Sequence, residues 1–213
     1  LILLATGFLI KTAAAGFHVW LVGAYSEADD DFTAMLSAVV SKVAMFGLLV
    51  GTYIAIRSDV TLELAHALGW IGMLTTVAGA LMALKQDDIK RLLAYSSMSQ
   101  IGYIVTAIAL MSHIGWVTAL YLVANHMSVK AILFLAAAGL ILRIGSRNFS
   151  DYGGLARKLP ITFAAVVIAM IAMSGLPPLT GFGGKWLLLT AMMERQWYWP
   201  VVFGLVATFV GFL

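Results

Sequence analysis

Long apolar stretches alternate with short polar segments along the whole chain. A helix needs about 20 consecutive apolar residues to cross a hydrocarbon layer about 30 Å thick. Because backbone groups in lipid must be paired within their own segment, such stretches form helices. The pattern therefore predicts an all-α, polytopic transmembrane bundle. The apolar stretches cover roughly residues 1–24, 32–56, 64–84, 92–111, 114–142, 161–193 and 199–213.

The polar segments are too short to mark a second domain, so we expect residues 1–213 to form a single transmembrane domain. Leu1 and Leu213 both lie inside apolar stretches, and neither an initiator methionine nor a basic leader opens the chain. We expect the chain to be an excerpt of a longer protein.

Composition supports the membrane assignment and excludes several kinds of function. Hydrophobic residues make up 62% and charged residues 11%, whereas soluble domains carry about 25% charged residues. The net charge of +3 is small and scattered, so no nucleic-acid partner is expected. The lack of cysteine excludes disulfides and cysteine-held iron–sulfur clusters within this chain. We expect no cofactor, no metal, and no redox or hydrolytic centre of its own.

Lysine and arginine in the short loops predict the orientation in the membrane. Connectors on one side carry seven positive residues, whereas the other side carries only Arg57 and Arg195. This bias places loops 85–91 and 143–158 on the cytoplasmic, negative side. The membrane would be a bacterial or archaeal cytoplasmic membrane or an organellar inner membrane. The seven residues are Lys85, Lys90, Arg91, Arg143, Arg147, Arg157 and Lys158.

The stretch 161–193 is interrupted by Pro177 and Pro178, which lie among four glycines. Proline removes a backbone donor and clashes with the preceding turn. A simple loop between two short helices is one interpretation. We favour a discontinuous helix of the kind that forms ion sites in transporters, because Lys185 follows the break at once.

Four lysines, Lys11, Lys42, Lys130 and Lys185, lie within apolar stretches. A lysine at the membrane centre costs about 2.5–3.5 kcal/mol on insertion scales, so such residues tend to face a protein or water interior. Extension of the side chain to the membrane surface is the alternative. It suits Lys42 better than Lys11 or Lys130, which have longer apolar flanks on both sides.

Other polar residues accompany these lysines. His126 lies four residues before Lys130 and therefore shares its helix face. Paired with Lys130 it suggests a hydrated relay, although a membrane histidine can also be a packing residue. A cluster in the preceding span could hold bridging waters, although serines in membrane helices often bond only to backbone carbonyls. It consists of Ser96, Ser97, Ser99 and Gln100.

None of the ten acidic residues lies in the interior of an apolar stretch. A buried lysine loses the hydration that stabilises its charged form, so it can become neutral, accept a proton and release it when a nearby charge moves. We therefore hypothesise that a buried glutamate or aspartate in flanking sequence acts as the counter-ion.

Several runs of sequence resemble a known family. They are KTAAAGFHVWL from Lys11, AMLSAVVSK ending at Lys42, ALKQDDIKRLLAYSS from Ala83, HMSVKA from His126, and GLPPLTGF from Gly175. In order and spacing they resemble the antiporter-like subunits of respiratory complex I, of Mrp-type sodium/proton antiporters and of membrane-bound hydrogenases. The resemblance covers nearly the whole chain.

The resemblance implies an inverted-repeat antiporter-like fold and assigns roles to individual residues. Lys11 corresponds to the channel lysine of a first broken helix, with His18 as a supporting residue, and Lys42 to a bridging lysine. His126 and Lys130 correspond to central connecting residues, and Lys185 to the exit-side residue of the second broken helix. The family's essential glutamate would lie upstream of Leu1. Gly16 stands where the family usually has proline, and glycine still permits a break.

These observations predict a proton-translocating subunit of an energy-converting complex. Protons would move along Lys42 and Lys11, then His126 and Lys130, then Lys185. A quinone-reducing or hydrogenase module would supply the energy. The expected partners are other membrane subunits, the lipid bilayer and H⁺, with Na⁺ as an alternative ion.

Three other functions stay open at this point. The chain could be part of an Mrp-type cation/proton antiporter without redox coupling. It could be a secondary carrier that binds an anionic solute at the broken helix. It could also be a passive structural subunit, in which polar residues hold helices together.

Overall fold

The computed structural model describes residues 2–56 and 61–212, and within these ranges it contains eleven α-helices and no β-strand. The predicted all-α bundle is confirmed. Arg57, which entered the orientation argument, lies outside the described residues. The helices are α1 Ile2–Lys11, α2 Val19–Glu27, α3 Asp30–Ala38, α4 Val43–Ala55, α5 Thr61–Ala83, α6 Ile89–Ala109, α7 His113–Ile144, α8 Leu155–Lys158, α9 Pro160–Ser174, α10 Thr180–Glu194 and α11 Tyr198–Val210.

Four continuous segments are long and apolar enough to cross a membrane: Asp30–Ala55, Glu63–Ala83, Ile89–Ala109 and His113–Ile144. The first consists of α3 and α4, which are joined by the short 3₁₀ turn Val40–Lys42. These segments lie where the apolar pattern places spans 32–56, 64–84, 92–111 and 114–142.

Helix α6 is the centre of the bundle and packs against α2, α4, α5, α7 and α10. It begins where the Asp88 carboxylate accepts hydrogen bonds from the backbone N–H groups of Lys90 (2.8 Å) and Arg91 (3.0 Å). This is a standard N-cap, which satisfies donors that have no partner inside the helix. Most of α6 is buried, so its polar side chains face protein rather than lipid.

Helices α5 and α6 approach each other at backbone distance through glycines. A Cβ atom on Gly102 would lie 2.4 Å from the Gly72 carbonyl oxygen, and one on Gly79 would lie 2.5 Å from the Ser99 nitrogen. Small residues at a helix interface allow such close packing, which in a membrane supplies van der Waals attraction between helices. The contact fixes the face of α6 that carries Ser96 and Ser99.

The first apolar stretch differs from the single span 1–24 that the pattern gives. Helix α1 ends at Lys11, an irregular segment follows, and α2 begins at Val19. The segment contains two residues with positive φ, Ala13 (59°) and Gly16 (94°), and glycine adopts this conformation without steric penalty. Trp20 Nε1 donates to the carbonyl of Ile10 (2.9 Å), which bridges the break. A broken first helix is what the resemblance implies.

The stretch 161–193 is discontinuous too. Helix α9 ends at Ser174, Gly175 adopts φ +80°, and α10 begins at Thr180. The two halves then touch: a Cβ atom on Gly181 would lie 1.7 Å from the carbonyl oxygen of Ala172. Because no side chain fits at this position, glycine is required for α10 to pack beside the end of α9.

The connectors that the charge pattern assigns to one side meet in space. Lys90 Nζ forms an ion pair with the Asp30 carboxylate (2.7 Å). Arg147 Nη1 donates to the Ser26 carbonyl (3.0 Å), and the Ile89 N–H donates to the Arg147 carbonyl (3.0 Å). The ends of α2, α3 and α6 are therefore tied to the segment after α7.

Candidate functional site

Lys42 ends the 3₁₀ turn between α3 and α4, and only 2% of the residue is exposed. Its Nζ donates to the Ser37 carbonyl (2.7 Å) and to Ser41 Oγ (2.6 Å). Ser37 lies in the last turn of α3, where carbonyl groups lack partners within the helix and carry partial negative charge. Extension of Lys42 to the membrane surface is therefore excluded in this structure, because its amine points into the bundle.

Lys130 lies near the middle of α7 and is fully buried. Its Nζ donates to the Leu93 carbonyl (2.9 Å) and to Ser96 Oγ (2.6 Å), both on α6. The Phe134 ring, one turn further along α7, has its centroid 5.9 Å from the amine. The lysine is thus held across the α6–α7 interface.

A series of hydroxyl and carbonyl groups joins the partners of Lys42 to those of Lys130. Ser37 Oγ on α3 lies 3.5 Å from Ser97 Oγ on α6, and either hydroxyl can be the donor. Ser97 Oγ in turn donates to the Leu93 carbonyl (2.8 Å), which also accepts from Lys130. Each hydrogen bond in this series is 3.5 Å or shorter, and within Ser37 the series passes from the carbonyl, which accepts from Lys42, to the hydroxyl, which contacts Ser97.

His126 lies one turn before Lys130 on α7 and is 2% exposed. Neither ring nitrogen has a hydrogen-bond partner among the described residues. Lys42 and Lys130 both interact with His126 electrostatically, so a positive charge on any one of them opposes charge on the others. Buried polar atoms are nearly always hydrogen-bonded. A buried histidine whose ring nitrogens have no protein partner is therefore suited to exchange protons with water.

Lys185 lies near the start of α10, just past the break, and is 5% exposed. Its Nζ donates to the carbonyl of Ser174, the last residue of α9 (2.9 Å). Its aliphatic part runs over Gly175, where an added Cβ would lie 2.6 Å from Lys185 Cδ. The Tyr103 ring of α6 covers the amine, with 4.7 Å from Nζ to the ring centroid.

A cavity of about 320 Å³ lies among α5, α6, α9, α10 and α11. Ser96, which accepts the hydrogen bond of Lys130, lines one part of the cavity, and Lys185 lines another. A water occupies about 30 Å³ in the liquid and needs two to four polar partners, so the cavity is large and polar enough for a group of waters. Its polar lining residues are Ser96, Ser99, Gln100, Ser174 and Lys185.

Lys11 does not join this series. It is exposed at the end of α1, a helix whose main described packing partner is α4. The sequence pattern treats Lys11 as equivalent to the other three lysines, but within the described residues its side chain lies on the surface of the bundle.

The supporting residues fall into two groups. Ser96, Ser97 and Gln100 belong to the site; Gln100 Nε2 also donates to the Met173 carbonyl (3.2 Å) at the end of α9. Pro177 and Pro178 are exposed in the turn between α9 and α10 and line no part of the cavity.

His18 lies apart from these residues, in the first break. Its ring centroid is 6.5 Å from that of Tyr95. Together with Glu27 and Arg91 these two rings line a second cavity of about 310 Å³. The described residues place His18 near the connectors rather than beside Lys42 or Lys130.

Sequence reasoning missed three side chains that complete the site: Ser37, Ser41 and Tyr103. The two serines are within five residues of Lys42, which was a usable signal, because a buried lysine needs acceptors nearby. Tyr103 is a single tyrosine in an apolar span, and nothing in the sequence relates it to Lys185, which is more than 80 residues away.

Among residues 2–56 and 61–212, no carboxylate lies within 4.0 Å of the amines of Lys42, Lys130 or Lys185. Their described hydrogen-bond partners are carbonyls and hydroxyls. These acceptors suit both the charged and the neutral amine, since each form carries N–H groups.

The comparisons with known proteins agree with this architecture. Residues 1–211 match the family described as NADH:quinone oxidoreductase/Mrp antiporter, TM. The chain belongs to this family.

Relatives of the antiporter family come from several kinds of complex. NADH-quinone oxidoreductase subunit N of Moorella thermoacetica is 34% identical over 210 residues, which cover 99% of this chain and 44% of the relative. A chain in the structure of the Mrp complex from Dietzia sp. superposes with a TM-score of 0.94 at 27% identity, covering 99% of this chain and 39% of that one.

A chain of respiratory complex I from Thermus thermophilus gives a TM-score of 0.86 at 27% identity, covering 98% of this chain and 44% of that one. The chain therefore spans less than half the length of the relatives that it matches. These structures confirm the antiporter-like fold that the sequence resemblance implied.

Proposed function

We propose that this chain is the proton-conducting part of a membrane subunit in an energy-converting complex. Protons would pass between Lys42 and Lys130, through the cavity, and to Lys185. The observation that carries this proposal is the series of hydrogen-bonded polar groups from Lys42 to Lys130, together with the cavity of about 320 Å³ that extends from Ser96 to Lys185.

Each lysine in the series can take up and release a proton without a large rearrangement. Its acceptors hold the amine in place in either state. Because the Ser37 and Leu93 carbonyls accept hydrogen bonds but have no proton to pass on, transfer between Lys42 and Lys130 would run through serine hydroxyls and water, and transfer to Lys185 through the cavity. Because Lys42 and Lys130 repel each other when both are charged, protonation of one favours release from the other. His126, next to both, would connect them through water.

The energy source and the partners extend the proposal beyond this chain. Relatives with this architecture are subunits of NADH-quinone oxidoreductase and of the Mrp complex. We therefore propose other membrane subunits as partners and a redox module as the driver. Loops 85–91 and 143–158 would face the cytoplasm, which the charge bias supports.

Replacement of Lys130 tests the relay. Lys130→Met keeps the volume but cannot bind a proton, and Lys130→Arg keeps the charge but does not release its proton. We expect both variants of the full-length subunit, assembled in its complex, to lower proton translocation into vesicles at least roughly tenfold. Lys158→Met, at an exposed connector residue, is the matched control.

The Lys130→Arg variant separates the relay from a structural role. A lysine that only holds helices together would be replaced by arginine with little loss, provided that the complex assembles. Normal translocation by assembled Lys130→Arg or Lys130→Met complex would refute the relay. Assembly is measured by the amount of intact complex in the membrane.

A cation/proton antiporter subunit without redox coupling is the second candidate, because the superposition on the Mrp complex gives the higher TM-score. A Na⁺ gradient imposed across vesicles distinguishes the two. An antiporter moves protons in response to that gradient without any electron donor, whereas a redox-driven subunit requires the donor.

The structure disfavours a carrier of anionic solutes. Such a carrier would direct several positive groups into one binding cavity, yet Lys185 is the only charged residue among the described residues that line the cavity between Ser96 and Lys185. Lys42 and Lys130 instead point their amines at protein acceptors.

A further inference from the structure

Lys185 is held differently from the other two buried lysines of the candidate site. Lys42 and Lys130 each donate to one carbonyl and one hydroxyl. For Lys185 the described hydrogen bond is to a single carbonyl, that of Ser174, and the face of the Tyr103 ring takes the place of the second acceptor.

Tyr103 is itself rigidly placed. The residue is 2% exposed. Its hydroxyl donates to the Gly204 carbonyl (2.7 Å) and lies 2.7 Å from Thr208 Oγ1, both on α11. A ring that is bonded to α11 and carried by α6 cannot turn away from Lys185 on α10 without breaking these bonds.

An aromatic face attracts a cation through the negative potential of its π electrons, and the attraction is strongest where water is excluded. A neutral amine is attracted much less. At 4.7 Å from the centroid, Lys185 Nζ lies well inside the range of about 6 Å in which this interaction acts. Tyr103 therefore distinguishes the protonated from the neutral lysine.

Within the described residues, no other charged or titratable side chain lines the cavity beside Lys185. No second side chain in the cavity lining therefore distinguishes the protonated from the neutral lysine by its own charge. The Ser174 carbonyl accepts from either form of the amine. The ring adds to this carbonyl a second contact that favours the charged form of the lysine.

We propose that Tyr103 is a positioning residue for proton transfer: its ring, fixed by α11, holds the protonated amine of Lys185 between the break of α9 and α10 and the cavity. This inference rests on the proposed function of Lys185 in the relay. Through Tyr103, the position of α11 would determine how firmly Lys185 retains its proton.

Graded fluorination of the ring tests the proposal in the full-length subunit within its complex. Phenylalanine at 103 is the reference, because every member of the series then lacks the same hydroxyl bonds to α11 and differs from the others only in the charge of the ring face. It is compared with 4-fluoro-, 3,4-difluoro- and 3,4,5-trifluorophenylalanine at the same position. Fluorine withdraws electrons from the ring face while changing its size little, so folding and assembly should be preserved.

We expect the pH at which proton translocation is half-maximal to shift stepwise toward acid along this series, by about one unit in total. The same trifluorinated residue at position 203, where Phe203 packs against Trp70 and no lysine, is the control and should cause no shift. A pH profile that does not change along the 103 series would overturn the proposal.

A double-variant cycle separates this proposal from the relay itself. Tyr103→Leu should lower translocation roughly tenfold in the otherwise unchanged subunit, with Tyr103→Trp retaining most of it. In a Lys185→Met background Tyr103→Leu should have no further effect. If Lys185→Met alone leaves translocation intact, the relay fails; if it abolishes translocation while Tyr103→Leu does not lower it, only the positioning role fails.

Discussion

At the scale of single residues, the three buried lysines of the candidate site share one arrangement. Each donates to a main-chain carbonyl: Lys42 to Ser37, Lys130 to Leu93 and Lys185 to Ser174. Two of these carbonyls lie in the last turn of α3 and of α9, where the helix dipole places partial negative charge. The backbone thus provides acceptors for amines that have no neighbouring carboxylate among the described residues.

The hydroxyl of Ser97 is the contact that connects two of these sites. We expect Ser97→Ala to slow proton translocation several-fold, since the loss of one hydrogen bond is worth about 1 kcal/mol and no other described hydroxyl joins Ser37 to the Leu93 carbonyl. Translocation into vesicles is measured per assembled complex.

The matched control for this prediction is Ser128→Ala on the exposed face of α7. Ser128 Oγ bonds only to the Ala124 carbonyl of its own helix, so its removal should have no effect. Equal translocation by the Ser97 and Ser128 variants would mean that the contact between α3 and α6 carries no protons.

At the scale of helices, the site depends on two breaks and one close contact. The break between α9 and α10 brings the Ser174 carbonyl to Lys185, and the turn between α3 and α4 brings the Ser37 carbonyl to Lys42. The close packing of α5 on α6 then holds the serine-bearing face of α6 toward α7 and the cavity. Continuous helices would leave these carbonyls bonded within their own ladders.

Gly102 tests the contact between α5 and α6. We expect Gly102→Ala to reduce the amount of folded subunit in the membrane, because the added methyl would lie within 2.5 Å of backbone atoms of α5. Overpacking of this kind typically costs about 1–3 kcal/mol. Thermal stability of the detergent-solubilised complex is the second measurement.

Gly139→Ala provides the control for Gly102→Ala. Gly139 lies within the last two turns of α7, and nothing lies within 4 Å of an added Cβ. The substitution should be neutral or stabilising by up to about 1 kcal/mol through helix propensity. If the Gly102 and Gly139 variants behave alike, the α5–α6 approach is looser than described.

At the scale of the whole molecule, three connectors form one surface: the acidic connector 26–31 and the two basic connectors 85–91 and 143–158. The Lys90–Asp30 ion pair and the Arg147–Ser26 hydrogen bond tie them together, so they must lie on the same side of the membrane. The charge bias predicts that this side is cytoplasmic.

Single cysteines test this orientation, since the chain contains none of its own. With Lys158→Cys, a membrane-impermeant thiol reagent should react from the cytoplasmic side alone. With Gln196→Cys, in the connector between α10 and α11, it should react from the opposite side alone. Labelling of both from the same side, or each from the reverse side, would contradict the assignment.

The sequence by itself determined the helical membrane fold, the approximate spans and three of the buried lysines, Lys42, Lys130 and Lys185. It indicated neither that Lys11 is exposed nor that Lys90 is buried. The features that it did determine follow from local rules. Hydrocarbon thickness sets the length of a span, and a charged residue within an apolar span can be recognised from the sequence whichever neighbour the helix packs against. The run GLPPLTGF also located the second break, because proline and glycine act on their own backbone.

Tertiary structure alone decided which polar groups meet. The rotation of each helix about its axis decides which side chains meet. It brings Lys130 to Ser96 and Ser37 to Ser97. It also places Tyr103 over Lys185 and leaves Lys11 on the surface. That rotation is fixed by contacts between residues far apart in the chain, such as the glycines between α5 and α6. Apolar residues on nearly every face of these helices gave no periodic signal from which it could be derived.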